Sequence, residues 1–320
     1  MTGTAGGAGA AGRLAEPVPQ YSELDGGRWI DVDGIRTWYT TAGSGTPVVF
    51  VYGGNFGGAA TASGAYAWAP PFHALRSAHT VIAYDKPGQG WTDPPPSLDQ
   101  YTMAAVVEHL IAFLGRLDLG PVHLVGHSRG GYIVTRAALL RQDLVRSVTM
   151  VNTGTLSPGV ATNEVTLANP PVPVSIEACR WTYENYVHRR ECITDEFIDQ
   201  AWAVVQSDAY QRALRVIGEH DLLSGLFLPR LARDKRETLT WLAEGRLQRP
   251  TQVVWGRDDR TAHLSRGVEL FETLRATEKR TYFSVVDKCG HFPYREHPEW
   301  FATIAGRFLD EVDSLDYAVC

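Results

Sequence analysis

Short, continuous apolar runs punctuate the chain at Pro47–Tyr52, Thr80–Tyr84, Val122–Val125, Val145–Val151, Thr251–Trp255 and Tyr282–Val286. Runs this short, without alternation, suit strands buried on both faces of a parallel sheet. Between them, apolar residues recur at helical spacing. Val106, Val107, Leu110, Ile111, Leu114 and Leu117 form one stripe, with Thr102 as its expected N-cap. Phe301, Ile304, Phe308 and Leu309 form another, with Pro298 in its first turn. Ahead of these, Trp29–Val32 and Ile35–Thr41 flank Asp33-Gly34, which predicts a hairpin. Strand alternating with helix predicts an α/β fold with a mostly parallel, doubly wound sheet.

One segment breaks the alternation. From Ser157 to Glu244 no buried strand is evident. Pro158, Pro170, Pro171 and Pro173 open it, and a helical stripe of Phe197, Ile198, Ala201, Trp202 and Val205 follows. Thr194 is the expected N-cap of that helix, and Asp195 and Glu196 sit where its dipole favours acids. We expect residues 157–244 to form a helical cap inserted into a core made of 21–156 and 245–320. Residues 1–20 begin with Gly, Ala and Thr, bury too little to offset their ordering entropy, and read as a flexible tail.

Composition narrows the partners. A net charge of −6 with no basic stripe argues against nucleic acid. No apolar run reaches the length of a membrane span, and the first residues do not read as a signal peptide. Four scattered cysteines without a CxxC pair favour a reduced, cytoplasmic protein. No metal-ligand spacing or dinucleotide fingerprint is present, so no cofactor is expected, and a small-molecule substrate is. A homo-oligomer is left open.

The chemistry starts at Gly126-His127-Ser128-Arg129-Gly130, which matches G-x-S-x-G. It follows a predicted strand and precedes a helix-compatible stretch, the strand–elbow–helix context that the motif needs. Ser128 is the candidate nucleophile, and a serine hydroxyl needs a base. His291 lies in a loop after the last apolar run and before the last helix. The acid that orients it follows Thr251–Trp255, where Asp258 and Asp259 compete; Asp259 is favoured and Asp258 stays open. The order Ser, Asp, His matches that of α/β-hydrolases. An oxyanion hole needs two backbone N–H groups. Arg129 should supply one, and the loop Tyr52-Gly53-Gly54-Asn55 the other, from Gly54 first and Asn55 second. Tyr52, His127, Phe292 and Trp202 are the candidate substrate contacts.

From about Tyr21 to Leu309 these residues resemble the α/β-hydrolase superfamily. The marks are Tyr52-Gly53-Gly54, Asp85-Lys86-Pro87-Gly88-Gln89-Gly90, the Ser128 elbow, Gly256-Arg257-Asp258-Asp259 and Gly290-His291. Within it, Val151-Asn152-Thr153-Gly154, Ile193-Thr194-Asp195-Glu196, Cys289-Gly290-His291 and Glu296-His297-Pro298-Glu299 resemble the meta-cleavage-product hydrolases. The resemblance implies hydrolysis of a carbon–carbon bond beside a ketone. Several positions depart from that family's pattern: His127 stands for Asn, Phe292 for Trp, Tyr52 for His, and Ala201 for the cap arginine that holds the substrate carboxylate. Arg180, Arg189 and Arg190 are the candidates to replace that arginine. The departures move the expected substrate toward an uncharged carbonyl compound, an ester or lactone first and a carbon–carbon substrate second. A ligand receptor with vestigial hydrolysis is a third reading. Ser128 argues against haloalkane and epoxide hydrolysis, which need a carboxylate at the elbow.

Overall fold

The computed structural model describes residues 16–54, 62–159 and 174–315. Eight strands form one sheet: β1 (Arg28–Val32), β2 (Ile35–Ala42), β3 (Pro47–Val51), β4 (Thr80–Tyr84), β5 (Val122–His127), β6 (Val145–Val151), β7 (Thr251–Gly256) and β8 (Thr281–Val286). Their order is β1-β2-β4-β3-β5-β6-β7-β8. β1 and β2 form the predicted antiparallel hairpin, with Val32 opposite Ile35, and β2 runs antiparallel to β4. All remaining pairs are parallel. At the hairpin, Asp33 and Gly34 both take positive φ, which the strand twist favours and Gly tolerates.

The unbroken apolar runs have a direct cause. Val48 and Phe50 belong to one hydrophobic cluster, and Val49 and Val51 to the other. Successive side chains point to opposite faces, and both faces are covered by helices. The longer helices of the core are α1 (Ala69–Leu75), α2 (Met103–Leu117), α3 (Arg129–Leu140), α8 (Leu264–Arg275) and α9 (Pro298–Ser314), with a single helical turn at Pro293–Glu296 before α9. Thr102 caps α2 as expected, its Oγ1 accepting from the Ala105 amide. Ile111 and Leu117 of the expected stripe are only partly buried, at the edge of the packed face.

Between β6 and β7 the described chain holds helices and no strand: α4 (Ile176–Tyr186), α5 (Asp195–Val205), α6 (Asp208–Glu219) and α7 (Leu228–Ala243), with a wider-wound turn at Leu223–Phe227 before α7. Thr194 caps α5, accepting from the Phe197 amide. Pro170, Pro171 and Pro173 lie outside the described residues.

One expectation needs correction. Residues 1–15 lie outside the described residues, but the end of the expected tail is tied down. Trp38 Nε1 donates to the Pro19 carbonyl at 2.7 Å, Gln20 Oε1 accepts from the Gly27 amide, and Val18 packs on the core. A buried indole N–H needs an acceptor, and Pro19 supplies it.

Candidate active site

A cavity of about 720 Å³ opens where the strands β3, β5, β6, β7 and β8 end, with Gly54, Ser128, Gly154, Thr261 and His291 on its wall. In open α/β sheets, ligands bind beyond the carboxyl ends of strands.

Ser128 stands between β5 and α3 at φ 51° and ψ −121°. A side chain rarely tolerates this conformation, so the surroundings must hold it. They do so by close backbone approach. A Cβ on Gly126 would lie 2.4 Å from the Gly130 carbonyl oxygen, and one on Gly130 would lie 2.1 Å from that of Val51. A Cβ on Gly131 would strike Thr153 Oγ1 at 1.9 Å, so the elbow needs a third glycine beyond the motif. The Ser128 amide donates to the Val151 carbonyl at 2.8 Å, which ties the turn to β6. Arg129 begins α3, whose N-terminal end carries partial positive charge.

Opposite the elbow runs the loop after β3. A Cβ on Gly53 would sit 2.9 Å from Ser128 Cβ. Gly54 takes φ 75°, and Asn55 lies outside the described residues. Lys86 holds this loop from beneath. Its Nζ donates to the carbonyls of Tyr52, Gly53 and Gly54 at 3.1, 2.8 and 3.2 Å and lies over the Tyr52 ring. Burial, then the charge of Arg129, pulls the Lys86 ammonium well below its ordinary pKa; Asp85 opposes this. Tyr52 is fully buried, and its hydroxyl accepts from the Lys86 amide.

His291 and Asp259 meet directly, with 2.7 Å between Nδ1 and Oδ2. Thr261 Oγ1 lies 2.8 Å from the same nitrogen. Asp259 is 3% exposed. Its Oδ2 also accepts from Asn152 Nδ2 at 2.6 Å, and its Oδ1 from the Thr261 amide and hydroxyl and the Ala262 amide. Burial alone would raise this carboxyl's pKa. The His291 charge and the hydrogen bonds from His291, Asn152 and Thr261 outweigh it and hold Asp259 below the usual value. Asp258 is exposed and pairs with the Cys289 backbone instead. No described residue bonds His291 Nε2, and the ring faces the cavity that Ser128 also lines.

The substrate-contact candidates divide. Tyr52, His127 and Phe292 line the cavity. His127, however, is engaged at both ring nitrogens. Its Nε2 lies 2.8 Å from the His291 carbonyl, which can only accept, so that nitrogen carries the proton. Nδ1 then accepts from the Tyr294 hydroxyl at 3.1 Å. Burial and the neighbouring His291 lower its pKa and keep it neutral. Trp202 does not line the cavity. Phe197 on the same helix does, and Trp202 sits about 140° around the helix from it. Tyr183 and Tyr186 of α4 complete the aromatic wall.

Three residues escaped the sequence reading of the site. Asn152 takes φ 45° just past β6, bridging Asp259, the Gly290 carbonyl and the Gly256 amide. Thr261 bonds both Asp259 and His291. Glu296 is 1% exposed and accepts from the amides of His188, Arg189, Gly290 and Phe292, joining the end of α4 to the His291 loop. The His291 amide itself donates to the Tyr186 carbonyl. Asn152 and Glu296 stood inside motifs already noted, but nothing local announces their partners.

Ala201 is fully buried in α5 and away from the cavity. Arg180 pairs with Asp195 and Glu184, Arg189 with Glu191 and the Glu296 carbonyl, and Arg190 is exposed. None of the three is on the cavity wall. Among the described residues, no cluster of His, Cys, Asp and Glu could hold a metal, and no helix is long and apolar enough to cross a membrane.

Comparison with known proteins agrees with this architecture. The chain is 27% identical over 291 residues to a 2-hydroxymuconate semialdehyde hydrolase of Pseudomonas sp. (strain CF600), covering 90% of this chain and 95% of that one. It is 25% identical to a 2-hydroxy-6-oxo-6-(2'-aminophenyl)hexa-2,4-dienoic acid hydrolase of Metapseudomonas resinovorans, covering 88% and 90%. The solved meta-cleavage product hydrolase of Pseudomonas fluorescens IP01 superposes with a TM-score of 0.73 at 25% identity, covering 89% of this chain and 98% of that one. These relatives favour carbon–carbon hydrolysis, the second of the sequence's readings, over the ester or lactone placed first. The model of the alpha/beta hydrolase family matches residues 48–304, and the chain belongs to that family.

Proposed function

We propose that the chain is a serine hydrolase cleaving a carbon–carbon bond beside a ketone, on a substrate like those that its relatives' names print. The observation that carries this reading is the 2.7 Å His291–Asp259 pair, on the same cavity as a strained Ser128. Ser128 Oγ bonds to the carbonyl carbon as His291 Nε2 takes the hydroxyl proton. Asp259 holds the other ring nitrogen and stabilises the imidazolium. The amides of Arg129 and Gly54 donate to the oxyanion, and Lys86 steadies the peptide units of the Gly54 loop. Carbon leaves only when conjugation spreads its charge, and a 2-hydroxy-6-oxo-2,4-dienoate provides this once its 2-hydroxyl proton has moved to the carbon beside the 6-ketone. The carbon–carbon bond then breaks, its electron pair runs into the 2-keto group, and the departing enolate takes the proton from His291. Water resolves the acyl-enzyme, with His291 again as base. The helices between β6 and β7 act as a cap that excludes bulk water and shapes the aromatic wall.

Ester or lactone cleavage is the second reading. It is favoured by Ala201, which puts a buried methyl where the resembling family carries its carboxylate-binding arginine. The test compares kcat/KM for a dienoate meta-cleavage product with that for a simple aryl ester, using the Ser128→Ala protein as blank. A preference of tenfold or more for the dienoate supports the proposal, and the reverse preference overturns it. Ser128→Ala should lower turnover by about 10⁴-fold or more. Tight ligand binding without turnover by the unaltered protein would favour the receptor reading.

A further inference from the structure

The residue after the nucleophile carries a charge that the mechanism above does not use. Arg129 lines the cavity beside Ser128, and its Nη1 is buried without a hydrogen-bond partner. Its guanidinium lies over the Phe227 ring at 5.4 Å, and no described carboxylate bonds it. Arg295 and Arg146 also keep one unpartnered nitrogen, at Nε, but each has a carboxylate partner, Glu23 and Asp313. Arg295 donates to the carbonyls of Tyr66 and Ala67 and to the Glu23 carboxylate, and Arg136 pairs with Glu237 and Thr238. A guanidinium nitrogen left buried and without a partner beside the reacting serine is costly, and it favours an occupant that accepts from it.

The wall around Arg129 has the same sign. Among the described residues no Asp or Glu lines the cavity, whereas Arg129, Lys235 and Arg236 do. Lys235 donates to the Gly159 carbonyl at 2.7 Å, and Arg236 is exposed. Arg129, only partly exposed, is thus the cavity cation with a buried donor to spare. Burial lowers its pKa to about 10, partly opposed by Tyr186, so it remains charged at neutral pH. Its planar fork matches a carboxylate in two parallel hydrogen bonds, which a neutral ester or amide cannot reproduce.

We propose that the Arg129 side chain is the anion-binding group of this cavity and that it selects substrates carrying a carboxylate. This places the anion anchor on the nucleophile elbow itself, in core secondary structure, rather than on a helix of the segment between β6 and β7. It rests on the reading of the cavity as a hydrolase's substrate pocket.

The test is a binding measurement that needs no turnover. Calorimetry on the Ser128→Ala protein compares 4-phenylbutanoate with 4-phenylbutanamide, which share shape but not charge. The carboxylate should bind at least roughly tenfold more tightly. In Ser128→Ala/Arg129→Met that preference should fall to within about threefold, and Arg129→Lys, which keeps the charge but loses the fork, should fall between. Unchanged affinity for the carboxamide shows that the pocket of each variant is folded; if Arg129→Met does not fold, Arg129→Gln takes its place. Equal affinity for the two ligands overturns the proposal. So does a preference that survives Arg129→Met and disappears in Lys235→Met or Arg236→Met. A carboxylate preference in a protein that hydrolyses neither dienoate nor ester would remove the proposed function and leave the anion site. Turnover without the preference would do the opposite.

Discussion

The loop that ends β5 and the loop that ends β8 face the same cavity, yet different physics holds each in place. The Ser128 elbow is held by steric approach: Gly126, Gly130 and Gly131 let backbone and Thr153 come where any Cβ would collide. The His291 loop is held by hydrogen bonds to buried polar groups from other elements. Asp259, Asn152, Thr261 and Glu296 reach it, and the Tyr186 carbonyl takes its amide. Steric constraint fixes one residue's backbone. A polar network fixes a ring's tautomer and direction, and also ties that ring to α4.

The largest expected effect tests the polar side. Asp259→Asn keeps the shape but offers His291 Nδ1 the wrong partner, so kcat should fall by about 10⁴-fold with the fold retained. Steady-state kinetics and circular dichroism check this, and a loss under tenfold would remove Asp259 from its role. Gly130→Ala tests the steric side. Its Cβ meets backbone, which cannot move aside, so stability should fall by about 3 kcal/mol, read by urea denaturation. Glu296→Gln comes next. An amide NH₂ would face backbone N–H groups that now meet a carboxylate, costing about 2 kcal/mol and loosening α4 from the His291 loop. Hydrogen exchange should speed up at His188, Arg189 and Gly290, and unchanged protection there would break the proposed link.

The acid limb of stability sharpens the comparison further. Asp259 has a folded pKa below its unfolded value. Between the two values the unfolded state binds more protons, so stability falls as pH falls. The contribution of Asp259 is fully present above about pH 4 and is lost as pH drops through its depressed folded value. Denaturation of the parent and of Asp259→Asn should converge on acidification, and a gap that widens instead would reverse the assigned shift. The smallest effect belongs to Asp258→Asn, which changes an exposed carboxylate and should stay within about 0.5 kcal/mol and threefold in kcat.

The chain pattern alone determined the sheet and the place of the Ser128 elbow. Continuous apolar runs announce strands covered on both faces, and glycines at fixed offsets around a serine announce an elbow, because both constraints act between near neighbours in sequence. Strand ends were less legible: β5 runs on through Gly126 and His127, since pairing with β6 continues past the last apolar residue. Only the tertiary structure decided the rest. The neighbours Asp258 and Asp259 look alike in the chain, and the turn after β7 buries one and exposes the other. Trp202 and Phe197 share one apolar stripe, and the rotation of α5 gives the cavity only Phe197. Asn152 lies 107 positions from Asp259, and Glu296 lies 108 from His188. Arg129 carries no local sign of lying unpaired. Whether a buried polar group finds a partner depends on chain segments that meet only on folding, so local pattern cannot report it.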